Sequence, residues 1–79
     1  MITPAQCRAA RGLLDWKQQD LTKHSEISIN TIRMFERGKT KPYKGTLVVL
    51  RQTFEAHGVE FIHEGDGGVW LRGRSRSLL

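Results

Sequence analysis

Two short helical patterns joined by a three-residue turn constrain the fold more than any other feature of this chain. The first pattern runs from about Gln18 to Ser25, and the second covers residues 29–37. Ser28, the last residue of the turn, is a good N-cap, and Gly38 suits the left-handed position that follows a helix. The apolar residues that can lock the two helices together are Leu21, Ile27 and Ile32.

Two further helices are predicted around this pair. Thr3 as N-cap, Pro4 at the first helical position and Gln6 three residues after the cap predict a helix that begins at Pro4. An apolar stripe at helical spacing predicts a fourth helix over about residues 43–57. Trp16, in the connector between the first two helices, is expected to fill the core between them.

The hydrophobic period changes from helical to alternating after Gly58. Residues 59–62 and 69–72 alternate around a glycine-rich turn at residues 65–68, which predicts a β-hairpin. A lone hairpin is marginal in water, so residues 59–72 are expected to pack on the helices or to serve in dimerisation. We expect the basic tail, residues 73–79, to be disordered. The predicted fold class is mostly α, with one four-helix unit over residues 1–58.

The length and composition of the chain restrict its class. Seventy-nine residues make one domain, which excludes a second, catalytic one. The single cysteine, Cys7, forms no internal disulfide, and the start of the chain does not resemble a signal peptide. No apolar run approaches the roughly 20 residues of a membrane-spanning helix. We therefore expect a cytoplasmic protein with no membrane partner.

Neither a metal site nor a catalytic site is predicted. Cys7, His24, His57 and His63 stand singly on different predicted elements, without metal-ligand spacing. Cys7 lies on an apolar stripe and is expected to behave as a small hydrophobe. The glycine-rich turn does not lead from a strand into a helix, as a phosphate-binding loop would. We predict no catalytic residue and no cofactor, and hence a protein that is not an enzyme.

Positive charge is concentrated in the first half of the chain. Residues 1–45 carry nine Lys/Arg against four acids, whereas residues 46–79 carry four against four, for a net charge of +5. Within the twelve residues 33–44, one acid, Glu36, stands among five cations, which are Arg33, Arg37, Lys39, Lys41 and Lys44. This pattern is typical of a surface that meets phosphates, and the alternative is a solvated basic face. Glu36 is expected to bind internally to Arg8 or Arg11.

Two helices joined by a tight turn can place the second helix in the major groove of DNA. Helical spacing directs five side chains of residues 29–37 away from the core: Ile29, Asn30, Arg33, Met34 and, at the far end, Arg37. We predict that the first four read bases, with Asn30 pairing with adenine and Arg33 with guanine through two hydrogen bonds each. The alternatives are solvation for Asn30 and an ion pair with a helix neighbour such as Glu36 for Arg33.

On these residues the chain resembles the phage-repressor, or Cro/Xre-type, helix-turn-helix family of transcription regulators. The resemblance covers residues 2 to about 62. The residues that carry it are Trp16 with Gln18, Leu21, Ile27-Ser28, Thr31-Ile32 and Phe35-Glu36-Arg37-Gly38-Lys39. It implies a lambda-repressor-like fold, a homodimer on double-stranded DNA, and sequence-specific regulation, most simply repression. It also implies backbone contacts by Gln18, Lys39, Lys41 and Lys44. We add four further backbone candidates, Lys17, Thr31, Arg37 and Tyr43.

Four positions depart from the family pattern. Glu26 stands where glycine is usual, so a residue with a Cβ occupies a turn position that prefers a positive φ. Thr22 replaces a small alanine, Lys17 replaces a capping Ser or Thr, and Ile29 replaces a polar base reader. An alternative function keeps the fold and changes its role. The chain would then be an antitoxin-like or adaptor protein that binds a protein partner through the hairpin edge or the tail.

Overall fold

The computed structural model of the chain describes residues 2–62 and 68–71. This part of the chain is mostly helical and ends in an antiparallel two-stranded hairpin, as predicted. Its helices and strands, in chain order, are α1 (Pro4–Leu14), α2 (Gln18–Ser25), α3 (Ile29–Glu36), α4 (Lys44–Ala56), β1 (Val59–Ile62) and β2 (Gly68–Leu71). The predicted tail, residues 73–79, and the predicted turn residues 65–67 lie outside the described residues.

The ends of α1 and α3 follow the predicted capping chemistry. The backbone N–H of Gln6 donates to Thr3 Oγ1 at 3.1 Å, and the N–H of Thr3 donates to Gln6 Oε1 at 3.0 Å, which completes the capping box. Ser28 Oγ accepts from the N–H of Thr31 at the start of α3. Gly38, at φ +72°, ends α3 in a Schellman turn. Arg37 is the C-cap, so α3 itself ends at Glu36, one residue earlier than predicted.

The turn between α2 and α3 retains the left-handed residue that its length requires. Glu26 has φ +62° and its N–H donates to the carbonyl of Thr22 at 2.8 Å, so the turn forms without glycine. The Oγ1 of Thr22 is buried without a hydrogen-bond partner in the described residues. Asp15 is also left-handed, at φ +58°, which the sequence did not predict. Both residues bear the strain of a Cβ in this region, about 1 kcal/mol or more each.

The core lies where the four helices and the inner face of the hairpin meet. Its fully buried members include Leu21, Ile32, Leu50 and Phe54. The hairpin lies against α1 and α4, and Val59 is completely buried while Glu60 and Ile62 face outward. The hairpin side chains that pack against the helical core are Val59, Phe61, Val69 and Leu71.

The side chain of Gln6 ties the hairpin to the first helix. It is 6% exposed, and its Nε2 donates to the carbonyls of Ile62 at 3.3 Å and Gly68 at 3.2 Å. These two carbonyls belong to paired residues at the end of the ladder. One buried amide therefore satisfies a helix cap and both strands at once.

Trp16 packs against the core, and its ring partners come from α2 and α4. It is partly buried at the edge of the core, where its ring stacks on His24 of α2 and meets Phe54 and His57 near the end of α4. The prediction that Trp16 packs in the core is therefore confirmed, although its ring contacts are with α2 and α4. The indole ring of Trp16 contacts other aromatic rings at this position because α2 and α4 pack side by side. The same packing brings together His24 and His57, which the sequence analysis treated as isolated.

Candidate nucleic-acid interface

The outer face of α3 presents the predicted base readers. Asn30 and Arg33 are exposed, and Ile29 and Met34 are partly exposed. The opposite face of the helix is buried and consists of Ile32, Phe35 and Glu36. The helical spacing therefore identified correctly which side chains of α3 reach the surface.

The segment after α3 continues this surface. Arg37, Lys39, Lys41 and Lys44 are all exposed, and Tyr43, at the N-cap of α4, is 89% exposed. A shallow depression of about 470 Å³ separates α3 from the start of α4. The residues that line it are Asn30, Thr31, Met34, Thr40, Lys41, Pro42, Tyr43 and Thr46. The depression is thus lined by two predicted base readers, Asn30 and Met34, and by three predicted backbone contacts, Thr31, Lys41 and Tyr43.

Glu36, the one acid in this basic run, is turned away from the surface. It is 4% exposed, and Arg11 donates to both carboxylate oxygens, from Nε and Nη2, at 2.7 Å each. Gln18 Nε2 donates to Oε1 at 3.0 Å and the Cys7 thiol to Oε2 at 3.2 Å. Arg8 Nη1 donates to the backbone carbonyl of Glu36. The prediction that the acid of Glu36 binds internally is confirmed for Arg11, while Arg8 reaches the backbone carbonyl of the same residue.

This network sets the ionisation of Glu36. Burial opposes the charged form, but the hydrogen bonds from Arg11, Gln18 and Cys7 together outweigh it and leave the pKa of Glu36 below its usual value. The hydrogen bond with Glu36 raises the pKa of Arg11 in turn. Both groups are therefore charged at neutral pH, and the positive charge of Arg11 compensates the negative charge of Glu36 inside the fold.

The stretch from residue 27 to residue 54 therefore exposes no acidic side chain. Glu36 is the single acid between Glu26 and Glu55, a stretch that carries Arg33, Arg37, Lys39, Lys41, Lys44 and Arg51. With Glu36 inside, the charged groups that this stretch exposes are all cations, and Arg51 pairs with Glu55 at 3.1 Å. Among residues 2–62 and 68–71, Arg33 forms no ion pair, so the alternative pairing with Glu36 does not form.

The remaining backbone candidates lie at the start of α2. Lys17 is exposed, and its backbone N–H donates to Asp20 Oδ2 at 2.8 Å. A lysine side chain has no acceptor, so it does not cap the first N–H groups of α2 as a Ser or Thr would. Gln18 is only partly exposed, and its side-chain amide nitrogen binds Glu36. Of the predicted contact residues, Gln18 is therefore the one whose side-chain donor is already engaged within the fold.

Cys7 has a role that the sequence reasoning missed. It was expected to act as a small hydrophobe, yet its thiol donates to the Glu36 carboxylate. Burial, and then the hydrogen bond to that carboxylate, raise the pKa of Cys7 far above its usual value. The spacing of Cys7 and Arg11, four residues apart on one helix, is a signal for a shared partner. This signal could not be interpreted from the sequence, because the shared partner, Glu36, lies 29 positions after Cys7.

No protein-family model matches the chain, and no curated protein matches it as a relative. Among residues 2–62 and 68–71, no helix combines the length and the apolar character needed to cross a membrane.

Proposed function

We propose that this chain is a sequence-specific DNA-binding transcription regulator of the Cro/Xre type, with a lambda-repressor-like fold. In this proposal α3 enters the major groove and the segment that follows it lies along the phosphates. Repression by occupancy of the operator is the simplest mode of action. The proposal rests on the basic surface of α3 and of the segment between α3 and α4, where the one acid, Glu36, is buried.

The charge and exposure of this surface suit double-stranded DNA. Phosphate contacts supply most of the affinity, and they require cations that are exposed and not already paired. Lys39, Lys41 and Lys44 are exposed, and they belong to no ion pair within the described residues. A helix is also the element that a major groove of about 12 Å admits.

Base discrimination is assigned to Asn30 and Arg33. Both are exposed on α3, Asn30 lines the groove beside Lys41, and each can make paired hydrogen bonds to one base edge. Ile29 and Met34 would add apolar contacts, for example to a thymine methyl group. A homodimer with half-sites about 34 Å apart would read a two-fold symmetric operator.

The test begins with selection of bound sequences from random duplex DNA by the full chain, followed by affinity measurements on the selected site. Arg33→Ala is expected to weaken that site by about 1–3 kcal/mol and to relax the preference at one base pair. Lys41→Ala is expected to weaken all duplexes similarly and to reduce the slope of log K against log salt by about one.

Arg51→Gln is the matched control, because it removes the same charge from a residue that is paired with Glu55 on α4. It is expected to leave the sequence preference and most of the salt slope unchanged. If selection enriches no sequence at moderate salt, or if Arg51→Gln and Lys41→Ala change the slope equally, the proposed interface is wrong.

The outer face of the hairpin supports the second candidate, an antitoxin-like or adaptor protein, and also a dimer contact. Trp70 is 47% exposed and Ile62 45% exposed on this face, and large exposed apolar side chains of this kind are common at protein contacts. Light scattering after size exclusion would separate these cases. A dimer that Trp70→Ser converts to a monomer would support the regulator, whereas a monomer that ignores duplex DNA would support the adaptor.

A further inference from the structure

Three aromatic rings from separate parts of the chain meet at the ends of α2 and α4. Trp16 lies parallel to His24, with ring centres 4.6 Å apart and planes 5° apart. His57 meets both rings edge-on, with its centre 4.7 Å from each. Both histidines are exposed, so solvent and ions have access to the pair. The DNA-facing residues of α3 take no part in this cluster.

The hydrogen bonding of His57 fixes which of its nitrogens is available. Its Nδ1 lies 2.8 Å from the carbonyl oxygen of Thr53, one turn earlier on α4. A carbonyl oxygen only accepts, so Nδ1 carries a proton, and in the neutral ring Nε2 then has the free lone pair. Metal-binding histidines are typically held in this way, with the second ring nitrogen bound to a backbone carbonyl.

We propose that His24 and His57 form a two-histidine binding site for a late first-row divalent metal ion, Cu²⁺ or Ni²⁺. With a metal–nitrogen distance of about 2.1 Å and about 1.2 Å more to the ring centre, each centre lies about 3.3 Å from the metal. Two such rings at a ligand angle of 90° have centres about 4.7 Å apart, and at the tetrahedral angle about 5.4 Å apart. The observed separation is 4.7 Å.

The ligand count points to the same class of metal. Among the described residues, no third histidine, cysteine or acid joins the pair, so water completes the coordination shell. Structural zinc sites use four protein ligands in a tetrahedron, which this cluster does not supply. The ligand angle near 90° to which this ring separation would correspond suits the tetragonal geometry of Cu²⁺ and Ni²⁺, and Cu²⁺ binds most tightly in the series of divalent ions. The bound ion would connect α2 to α4 and would lie close to the Trp16 ring.

Fluorescence quenching of Trp16 by Cu²⁺ tests the site in the full chain. Trp70→Phe serves as the background, so that Trp16 is the one tryptophan left. Quenching is expected to saturate at one Cu²⁺ per chain, and Mg²⁺ is expected to give none. His24→Gln and His57→Gln are each expected to weaken apparent Cu²⁺ affinity at least about tenfold. His63→Gln, which removes the third histidine of the sequence, is the matched control and should leave it unchanged.

Electron paramagnetic resonance of the 1:1 Cu²⁺ complex gives a second measurement. Two equivalent imidazole nitrogens should appear in the background protein, and one after either substitution. Circular dichroism melts verify that each variant is folded. Quenching that does not saturate, that persists in His24→Gln and His57→Gln, or that disappears in His63→Gln would overturn the proposal. These outcomes do not depend on DNA binding, so the site and the proposed function are tested separately.

Discussion

Glu36→Gln tests how much the buried ion pair between α1 and α3 contributes to the stability of this fold. It keeps the size of the side chain and removes its charge, so that Arg11 remains inside without a counter-charge. Glu36 accepts two hydrogen bonds from Arg11 and one each from Gln18 and Cys7. A neutral amide has one accepting oxygen and presents its NH₂ group to donors, so it cannot replace this pattern.

The size of the loss follows from the burial of the pair. The side chains of Arg11 and Glu36 are 19% and 3% exposed, and breaking a buried pair by removing one partner costs about 3–5 kcal/mol. Because Arg11 retains some contact with water, we expect the lower end, about 3 kcal/mol. A domain of this length has a total stability of about 4–12 kcal/mol. The melting temperature should then fall by about 12–24 °C.

Urea unfolding followed by circular dichroism at pH 7 and pH 3 measures this effect. The pKa of Glu36 is lowered in the folded protein, so its contribution is complete above the ordinary carboxyl pKa and is lost as the pH falls below it. The difference in unfolding free energy between the native chain and Glu36→Gln should therefore be largest at pH 7 and should shrink at pH 3.

Glu55→Gln provides the matched control for this comparison. Glu55 pairs with Arg51 four residues away, at 3.1 Å, with side chains that are 41% and 38% exposed. Such surface pairs contribute about 0–1 kcal/mol, so this variant should lose much less than Glu36→Gln. Equal losses in the two variants, or a difference for Glu36→Gln that does not shrink in acid, would refute the reasoning.

Three further predictions concern other parts of the fold. Cys7 should resist a thiol reagent at pH 8 in the native chain and react at once in urea, because burial raises its pKa; rapid native labelling would contradict this. Gln6→Leu should lower the free energy of unfolding by about 2–3 kcal/mol and speed amide hydrogen exchange in the hairpin, because the two hydrogen bonds to the strands are lost. The control Gln52→Leu changes an exposed glutamine and should leave the exchange rates unchanged. Equal exchange rates in the two variants would exclude the anchoring role of Gln6. Glu26 and Gly38 both have a positive φ, which glycine adopts more easily than other residues. In urea titrations Glu26→Gly should therefore raise the free energy of unfolding by about 0.5–1 kcal/mol, and Gly38→Ala should lower it by about 1 kcal/mol. A change of the same sign in both variants would contradict this.

Local signals in the sequence predicted the helices well. The capping box at Thr3, the N-cap at Ser28 and the glycine at position 38 each depend on neighbours within a few residues. The same is true of the outward face of α3, which follows from helical spacing alone. For this reason the exposure of Asn30 and Arg33 could be predicted without knowledge of the rest of the fold.

Features that depend on packing between distant residues were not predictable in this way. The position of Trp16 follows from how α2 and α4 pack, and so does the meeting of His24 and His57. The hydrogen bond of Cys7 also depends on an acid on another helix. A helical pattern shows which face of a helix is buried, but it does not show which residue of another helix meets that face.

Glu36 connects the packing of the helices with the charge of the surface. An acid exposed on α3 would place a negative charge among the cations that follow it, and would repel phosphates. Buried without a partner, the same acid would destabilise the fold or lose its charge. Arg11 comes from α1, so the pair that removes this charge from the surface also fixes α3 against α1. The Arg11–Glu36 pair therefore contributes both to the packing of α3 on α1 and to the uniform positive charge beside α3.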